Sequence, residues 1–496
     1  MRIRKTNLIR FSAFLIVFII IFSLVSHIYT PTSLDFFSSP ISATFAQFYN
    51  EPRNSIDLIM LGASTAEATL LPAVLWDEAG IISYNLAISS GRPAVMYYWL
   101  KEALKYQSPS VVVFCGRQLF VKEDVDRNEA RFRQGLDNMR LSRNKIDAIN
   151  DIVSKSKEQK FLDYLFPLLR YHSRQKLEKD DFNFKYLVER NISMGGRTYI
   201  RHRETQLPDD FWSEKRETGS SVNGEYLEKI IELCNANNIE VVMADNPTTV
   251  NNSWSIARHN AMQDFANAHG IKMIDFNMRE YWEKTNLDES MDFADPNHVN
   301  LIGGTKVSRY FAHYLSETFD LPDGRAGEYD PHWDKVMEFY NIHYSRFNEV
   351  LQIKQCTTFS EYLSLLKKFT NSYIFISTRG EFAKYLNDID KEALKALGLQ
   401  TELSAALSNR SYYAIINDGS VIREKGSKGR LEYDGYLYPF DVNIKSAGDL
   451  SNIKTNETQR SRNRGGFNIV VYDKLTERFI DSVCFDTSSQ EVDVNR

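Results

Sequence analysis

Short apolar runs alternate with amphipathic stretches along the first two-thirds of the chain. Five runs have the length of buried strands and lie at residues 56–61 (IDLIML), 81–86 (IISYNL), 111–115 (VVVFC), 239–244 and 271–276. Apolar positions at helical spacing predict helices at about 93–106, 224–235, 255–269 and 305–318. Because strands that alternate with helices of this length form parallel sheets covered on both faces, we predict a three-layer α/β domain over residues 55–320.

Three further regions depart from this alternation. Residues 120–220 are rich in charges and helical in pattern, which predicts a helical insertion in the α/β domain. Residues 321–334 hold two prolines and two glycines, so we predict a linker that continues into a bridging helix up to residue 352. Beyond it, strand-like runs surround one clear helix at 388–397 that ends before Gly398, and they predict a separate α+β domain over residues 353–490.

An apolar segment near the N-terminus predicts a membrane helix. Residues 11–34 contain no Asp, Glu, Lys or Arg, and about 20 apolar residues span a bilayer core. Four basic residues precede the segment: Arg2, Arg4, Lys5 and Arg10. By the positive-inside rule, residues 1–34 form a cytoplasmic tip and a single-pass anchor, residues 35–54 form a stalk, and the C-terminal bulk is extracytoplasmic. A cleaved signal peptide is the alternative, although its small-x-small site, Ala43 to Ala46, comes late after the apolar core.

Composition excludes several classes of function. The 496 residues carry 60 Lys and Arg against 65 Asp and Glu, a net charge of -5, so nucleic-acid binding is not expected. The four cysteines lie far apart and form no CxxC pair, which argues against a zinc ribbon, an iron–sulfur site or a dense disulfide framework. No motif implies a cofactor.

Candidate site residues follow the first three predicted strands, at the sheet edge where α/β proteins bind their ligands. Ser64 follows the first strand in Gly62-Ala63-Ser64 and leads into a helix, so it is either a helix cap or a nucleophile beside backbone N–H groups. Gly91 follows the second strand, as a turn residue or as a point where the backbone approaches a ligand closely. Gln118 follows the third strand, and its amide either donates a hydrogen bond to a ligand or faces solvent.

A carboxylate and a histidine precede the last helix of the α/β domain. Asp295 lies three residues before His298 in the turn DPNHVN, where its carboxylate can bond the imidazole Nδ1–H and leave Nε2 to accept a proton from a serine. With nine histidines in the chain, a structural histidine is the alternative. A metal site is not expected, because neither an HExxH motif nor a third ligand accompanies the pair.

Taken in order along residues 55–320, these residues resemble the SGNH/GDSL hydrolase superfamily. The resemblance implies a three-layer, flavodoxin-like parallel sheet and a serine acyl-transfer site. In that site Ser64 is the nucleophile, His298 is the general base and Asp295 is its orienting carboxylate.

The resemblance also implies an oxyanion hole. Its donors are the backbone N–H groups of Ser64 and Gly91 and the side chain that follows the third strand. Where the family usually has Gly-x-Asn-Asp, this chain has Gly116-Arg117-Gln118-Leu119. Gln118 therefore either replaces the asparagine amide or leaves the hole one donor short, and one such donor contributes about 10²–10³ in rate.

The N-terminal anchor and the helical insertion look like those of bacterial membrane-tethered O-acyltransferases and esterases of cell-envelope polysaccharides. This likeness implies a polysaccharide substrate, a small acyl group such as acetyl, and a multi-pass membrane protein that delivers the acyl group to a transferase. Transfer and hydrolysis share one acyl-enzyme, so both remain open. The alternative is a catalytically inactive polysaccharide-binding or assembly protein. It is considered because Gln118 and Leu119 depart from the family pattern.

The C-terminal region resembles the interleukin-like EMT inducer (ILEI) domain. Five blocks occur in the family's order, at residues 373–379, 393–398, 410–413, 464–471 and 485–487. The resemblance implies a non-catalytic module that binds glycans or protein partners, and cytokine-like signalling is a remote alternative. The basic stretch at 460–464 would meet an anionic polymer or form a solvated loop. Cys356 and Cys484 flank the domain as candidates for a disulfide.

Overall fold

The predicted alternation of strands and helices appears in the first of two structural units. The computed structural model describes residues 5–31, 41–122, 124–177, 179–209, 211–212, 224–250, 253–328, 330–400, 411–489 and 493–496. The chain divides into the units Met1–Tyr340 and Asn341–Arg496. The described helices and strands of the first unit are, in chain order, α1 (Lys5–Tyr29), α2 (Ile41–Phe48), β1 (Leu58–Leu61), α3 (Ser64–Thr69), α4 (Pro72–Ala79), β2 (Ser83–Asn85), α5 (Pro93–Ala103), β3 (Val111–Cys115), α6 (Glu129–Leu136), α7 (Arg143–Ser154), α8 (Phe161–Leu165), α9 (Pro167–Tyr171), α10 (Glu225–Ala236), β4 (Glu240–Asp245), α11 (Ser253–His269), β5 (Lys272–Asp275), α12 (Arg279–Thr285), β6 (Phe293–Asp295), β7 (His298–Val299) and α13 (Leu301–Thr318).

The parallel sheet is confirmed, and its strand order defines a binding edge. Its five strands lie in the order β2-β1-β3-β4-β5, with every neighbouring pair parallel. In this doubly wound order the direction of winding reverses beside β1, and ligands bind outside the carboxyl ends of the strands at such a point. Every residue of β1 and β3 is buried, which explains why their sequences are continuously apolar.

Helix α13 packs against α3 at the carboxyl edge of the sheet. A Cβ atom on Gly304 would lie 2.3 Å from the carbonyl oxygen of Ala68, so glycine permits this close approach of the two helices. Asn300 caps α13, since its Oδ1 accepts hydrogen bonds from the N–H groups of Ile302 and Gly303. The turn before α13, which carries His298, is therefore held beside the start of α3.

The described residues of 120–220 contain helices α6–α9 and short 3₁₀ turns, and no strand. The segment 191–205, near the end of this insertion, returns to the sheet. Asn85 N–H donates to the carbonyl of Met194 (2.9 Å), and Arg197 N–H donates to the carbonyl of Glu67 (2.9 Å). The insertion thus ends along the carboxyl edge of the sheet.

One helix near the N-terminus, Ile9–Tyr29, is long and apolar enough to span a membrane or to serve as a signal sequence, with a mean hydropathy of 2.5. Its residues 11–21 are all exposed. Its later part contacts the helical insertion: the ring of Phe22 lies 5.8 Å from that of Phe166, and the ring of His27 lies 4.9 Å from that of Phe184.

The described part of the expected stalk at 35–54 contains a helix with buried side chains. Residues 35–40 lie outside the described residues, but α2 follows them, and its Phe45 and Phe48 are 1% and 0% exposed. Helix α2 therefore packs into the core, because two of its aromatic rings, one helical turn apart, are buried. The expected linker is also fixed in part, since Trp333 is buried and its ring stacks 4.6 Å from that of Trp76.

The second unit is an antiparallel α+β structure. Helix α14 (His332–Gln355) crosses the boundary between the units. The described elements that follow are α15 (Phe359–Leu366), β8 (Ser372–Arg379), α16 (Asp388–Ala396), β9 (Ser411–Asn417), β10 (Ser420–Ser427), β11 (Leu431–Leu437), β12 (Phe440–Ser446), β13 (Ser451–Thr455), β14 (Thr458–Gln459), β15 (Gly466–Asp473), β16 (Arg478–Asp486) and β17 (Asp493–Asn495). They form a six-stranded sheet, β10-β9-β8-β15-β16-β17, and a four-stranded sheet, β11-β12-β13-β14.

Two details of this unit bear on the sequence predictions. Cys356 and Cys484 are both buried free thiols that donate to different carbonyls, those of Gln352 and Gly465, so no disulfide joins them. In the basic stretch, the Arg460 guanidinium lies 4.3 Å from the Phe479 ring. Part of that stretch is therefore packed onto the fold.

Candidate active site

Ser64 is the first residue of α3, directly after β1 and the residues Gly62 and Ala63. A Cβ atom on Gly62 would lie 2.6 Å from the Cβ of Ala66, so glycine is required for the tight passage from strand to helix. The N-cap of α3 is Ala63, and no side chain caps this helix. The interpretation of Ser64 as a helix cap is therefore wrong, and its hydroxyl has another partner.

That partner is His298. Ser64 Oγ lies 2.8 Å from His298 Nε2, and His298 Nδ1 lies 2.9 Å and 3.0 Å from the two carboxylate oxygens of Asp295. Asp295 ends β6 and His298 begins β7, two short antiparallel strands joined by a tight turn. Asp295 Oδ1 also accepts from the N–H of Asn297 (2.9 Å), which fixes the carboxylate in the turn. The structure thus brings the three predicted residues into one hydrogen-bonded chain.

The electrostatics of Asp295 suit this position. Burial alone would raise its pKa, but the hydrogen bond and charge of His298, the Asn297 N–H and the charge of Arg201 together hold the pKa below its ordinary value. An ionised carboxylate at Nδ1 favours the tautomer that has its proton on Nδ1. Nε2 is then the acceptor toward Ser64.

Gly91 lies beside the first strand end. A Cβ atom on Gly91 would be 2.3 Å from the carbonyl oxygen of Gly62, so the turn after β2 touches the residue two positions before Ser64. The Gly91 N–H donates to the carbonyl of Ile88 at 2.9 Å. The predicted proximity is present, but this N–H group already has a partner within its own turn.

Gln118 lies in a 3₁₀ turn, Gly116–Phe120, and is 1% exposed. The interpretation of this residue as a solvent-facing polar group is therefore wrong. Its Oε1 atom is buried and has no hydrogen-bond partner among the described residues. A buried amide with an unsatisfied atom is unfavourable unless a ligand or water pairs with it.

A polar network beside the serine was not predicted. Asp245 ends β4, and Asn246 follows it; Asn246 Nδ2 lies 3.5 Å from Thr65 Oγ1, on the residue after Ser64. Asn277 Nδ2 donates to Asp245 Oδ2 at 3.0 Å, and Arg117 Nε lies 3.4 Å from Asp245 Oδ1. Burial raises the pKa of Asp245, against the effect of Arg117. The sequence contained a signal for this network, since DNP at 245–247 follows the predicted strand at 239–244 and DFN at 275–277 lies at the end of the predicted strand at 271–276.

The end of the insertion also reaches the site. The Tyr199 ring stacks on the His298 ring with centroids 5.4 Å apart and planes 13° apart. The Arg197 guanidinium lies 4.6 Å from the centre of the Tyr199 ring, and Arg197 Nη1 lies 3.8 Å from Glu67 Oε2. The Tyr199 carbonyl accepts from the N–H of Leu301, which anchors the segment to α13. No sequence pattern within the charge-rich insertion indicated these contacts.

Metal chemistry has no cluster to support it in the part of the chain that the structure describes. No group of three His, Cys, Asp or Glu side chains there is arranged to hold a metal ion.

Comparisons with known proteins do not assign a function to the chain. A family model described as a domain of unknown function, DUF362, matches residues 208–299. No curated protein matches the chain. Among matching solved structures is one from Bacteroides fragilis described as a "putative acylhydrolase"; it is 11% identical, has a TM-score of 0.26, and the alignment covers 55% of this chain and 93% of that one.

Proposed function

We propose that this protein is an extracytoplasmic, membrane-anchored enzyme of the SGNH/GDSL type that makes or breaks small acyl esters, acetyl esters above all, on a polysaccharide. One observation carries the proposal: Ser64 Oγ, His298 Nε2 and the Asp295 carboxylate form a continuous hydrogen-bonded chain at 2.8–3.0 Å. They lie at the carboxyl edge of a doubly wound sheet, where such sheets bind ligands.

The chain performs acyl transfer in two steps. Ser64 Oγ attacks the acyl carbon of the ester while His298 Nε2 takes the hydroxyl proton, and Asp295 stabilises the imidazolium that forms. The imidazolium then gives the proton to the departing alcohol oxygen, and the acyl group remains on Ser64. In the second step His298 Nε2 takes a proton from water or from a sugar hydroxyl, and the oxygen attacks the acyl carbon. The bond from this carbon to Ser64 Oγ then breaks, and the imidazolium returns the proton to Oγ. Attack by water makes the enzyme an esterase, and attack by a sugar hydroxyl makes it a transferase.

The oxyanion of each tetrahedral intermediate needs donors nearby. Ser64 begins α3, so its backbone N–H has no partner within that helix and is available to an oxyanion. Gly91 and Gln118 complete the hole if the Gly91 N–H exchanges its bond to Ile88 for the oxyanion and the Gln118 amide turns toward it.

We further propose that the second unit binds the polysaccharide or a partner, in the manner of ILEI-like domains. Tyr436 and Tyr438 support this role, since they are 63% and 65% exposed around the β11–β12 turn. Exposed aromatic rings of this kind combine a large apolar face with a polar hydroxyl, which suits the faces of sugar rings.

A catalytically inactive binding or assembly protein is the second candidate. The observation that favours it is the occupied Gly91 N–H, together with a third donor position that carries Gln118 in place of asparagine. Without these two donors, the rate of acyl transfer would fall by about 10²–10³ for each missing donor.

The test uses the full chain in detergent with p-nitrophenyl acetate, alone and with candidate oligosaccharides. We expect nitrophenol release that Ser64→Ala abolishes and that Ser316→Ala, which alters an exposed serine of α13, leaves unchanged. A fluorophosphonate should label the native protein at Ser64. Acetylated oligosaccharide among the products would identify a transferase. Equal turnover by Ser64→Ala, or no labelling of Ser64, would favour the second candidate.

A further inference from the structure

The exposed part of α1 is too short to cross a bilayer. Every residue from 9 to 24 except Phe22 is exposed, and at about 1.5 Å per residue this stretch covers about 24 Å of a hydrocarbon core that is about 30 Å thick. The complete apolar segment, Ile9–Tyr29, covers about 32 Å and matches the core. A membrane-spanning α1 must therefore include residues 22–29, the part that contacts the helical insertion.

That contact sets the depth of the insertion. Phe166 lies against Phe22, and Phe184 lies against His27, whose Nε2 is also 3.3 Å from the Asn183 carbonyl oxygen. Phe22 and His27 are five residues apart, about 7–8 Å along the helix axis. Phe166 and Phe184 would thus sit at the depth of the outer leaflet.

The surface of the insertion around these contacts is apolar. Large side chains that are exposed cluster in two short stretches of its sequence, 162–169 and 182–188, and comprise Leu162 (55%), Phe166 (37%), Leu169 (45%), Phe182 (52%), Phe184 (36%), Leu187 (45%) and Val188 (78%). We call these seven residues the insertion patch. Exposed apolar side chains on this scale are unusual on a water-facing surface and mark a site of interaction.

A cavity of about 350 Å³ lies between α1 and the insertion at the same level. Its lining combines apolar side chains, including Phe22, Phe166 and Leu187, with charged ones, namely Asp137, Arg140 and Lys145. Apolar and charged groups at one level suit the boundary between acyl chains and headgroups.

We propose that the insertion patch lies in the outer leaflet of the lipid bilayer, so that the α/β unit rests on the membrane beside its own anchor. The proposal rests on the membrane-anchored part of the proposed function and is independent of catalysis. The patch then lies at the same depth in the bilayer as residues 22–29 of α1, which contact it. Lys185, which is exposed within the patch, has a chain long enough to reach the headgroups.

The test places a fluorophore at single positions of the full chain in vesicles of phosphatidylethanolamine and phosphatidylglycerol. All four native cysteines are buried, so new exposed ones can be labelled with an environment-sensitive NBD group. Val188→Cys reports the patch, Ile16→Cys reports α1, and Ala236→Cys, at the exposed end of α10, is the water-facing control. Quenching is measured with doxyl-labelled lipids and with aqueous iodide.

We expect lipid quenching at Val188 to exceed that at Ala236 by roughly twofold or more, with blue-shifted emission, because an interfacial side chain lies about 5–10 Å below the headgroups. Lipid quenching at Ile16 with iodide quenching at Val188 would overturn the proposal while the anchor stands. Shielding of Val188 from both quenchers would also overturn it, in favour of a protein contact. Absence of lipid quenching at Ile16 would overturn both the anchor and the patch. None of these readings depends on the activity of Ser64.

Discussion

Replacing Asp295 with asparagine tests the hydrogen-bonded chain at the end farthest from the nucleophile. Asp295 accepts from His298 Nδ1 through both oxygens, at 2.9 Å and 3.0 Å, and from the Asn297 N–H at 2.9 Å. Asparagine keeps the size of the side chain and one acceptor, so the turn can persist. Its amide nitrogen, however, donates where the carboxylate accepted.

The consequence reaches Ser64 through the imidazole. When an amide N–H points at Nδ1, the ring holds its proton on Nε2, and an Nε2–H 2.8 Å from Ser64 Oγ cannot take the serine proton. The wrong tautomer in a serine triad lowers kcat by about 10⁴, which corresponds to about 5.5 kcal/mol of transition-state stabilisation. We expect a loss of that order in kcat with little change in KM, because the substrate contacts remain.

The assay is p-nitrophenyl acetate hydrolysis by the purified full chain, with fluorophosphonate labelling of Ser64 as a second readout. Asp288→Asn is the matched control, since Asp288 also accepts hydrogen bonds within a turn, from Ser290, but does not contact His298. An Asp295→Asn variant that keeps kcat within about tenfold of the wild type would refute the assignment of Asp295 as the orienting carboxylate.

Three other substitutions test separate features. Gly91→Ala should reduce activity and cost about 1–3 kcal/mol in unfolding free energy, because its Cβ would lie 2.3 Å from the Gly62 carbonyl oxygen; Gly327→Ala, with no atom nearer than 3.9 Å, should do neither. Burial raises the pKa of Asp57 to about 6, so its ionisation destabilises the fold as pH rises toward neutrality. Asp57→Asn should therefore raise the unfolding free energy by about 1 kcal/mol at neutral pH, after solvent screening, and have no such effect at about pH 4, as denaturant titration would show. Tyr199→Leu removes the ring stacked on His298 and should lower kcat about three- to tenfold, whereas Tyr199→Phe keeps the ring and should not; equal kinetics for the two variants would contradict a positioning role for the ring.

The sheet was predictable from sequence because burial of both faces leaves a strong signal. β1 and β3 are apolar at every position, and the polar residues placed after them, Ser64 and Gln118, do lie at the carboxyl edge. The strands β6 and β7 could not be predicted, because they have three and two residues, too few to show an alternation of apolar and polar positions.

The residues that the insertion contributes to the site could not be predicted, for a different reason. Tyr199 reaches His298 through tertiary packing, and its neighbours Arg197 and Arg201 read locally as ordinary surface charge. In the second unit, β11 (LEYDGYL) buries only Leu431 fully, so its alternation was too weak to identify as a strand.

Ser64 and His298, the proposed nucleophile and its base, are 234 residues apart in the chain. If the chain is exported from its N-terminus, as proposed, Ser64 emerges long before His298, because strands β2–β5 and the return of the insertion come between them. Contacts of such high sequence separation form late, after the loop-closure entropy has been overcome. In the proposed enzyme, Ser64 should therefore stay unreactive during translocation and become a nucleophile only when the last helix of the α/β unit has docked, so the emerging chain would not be acylated prematurely.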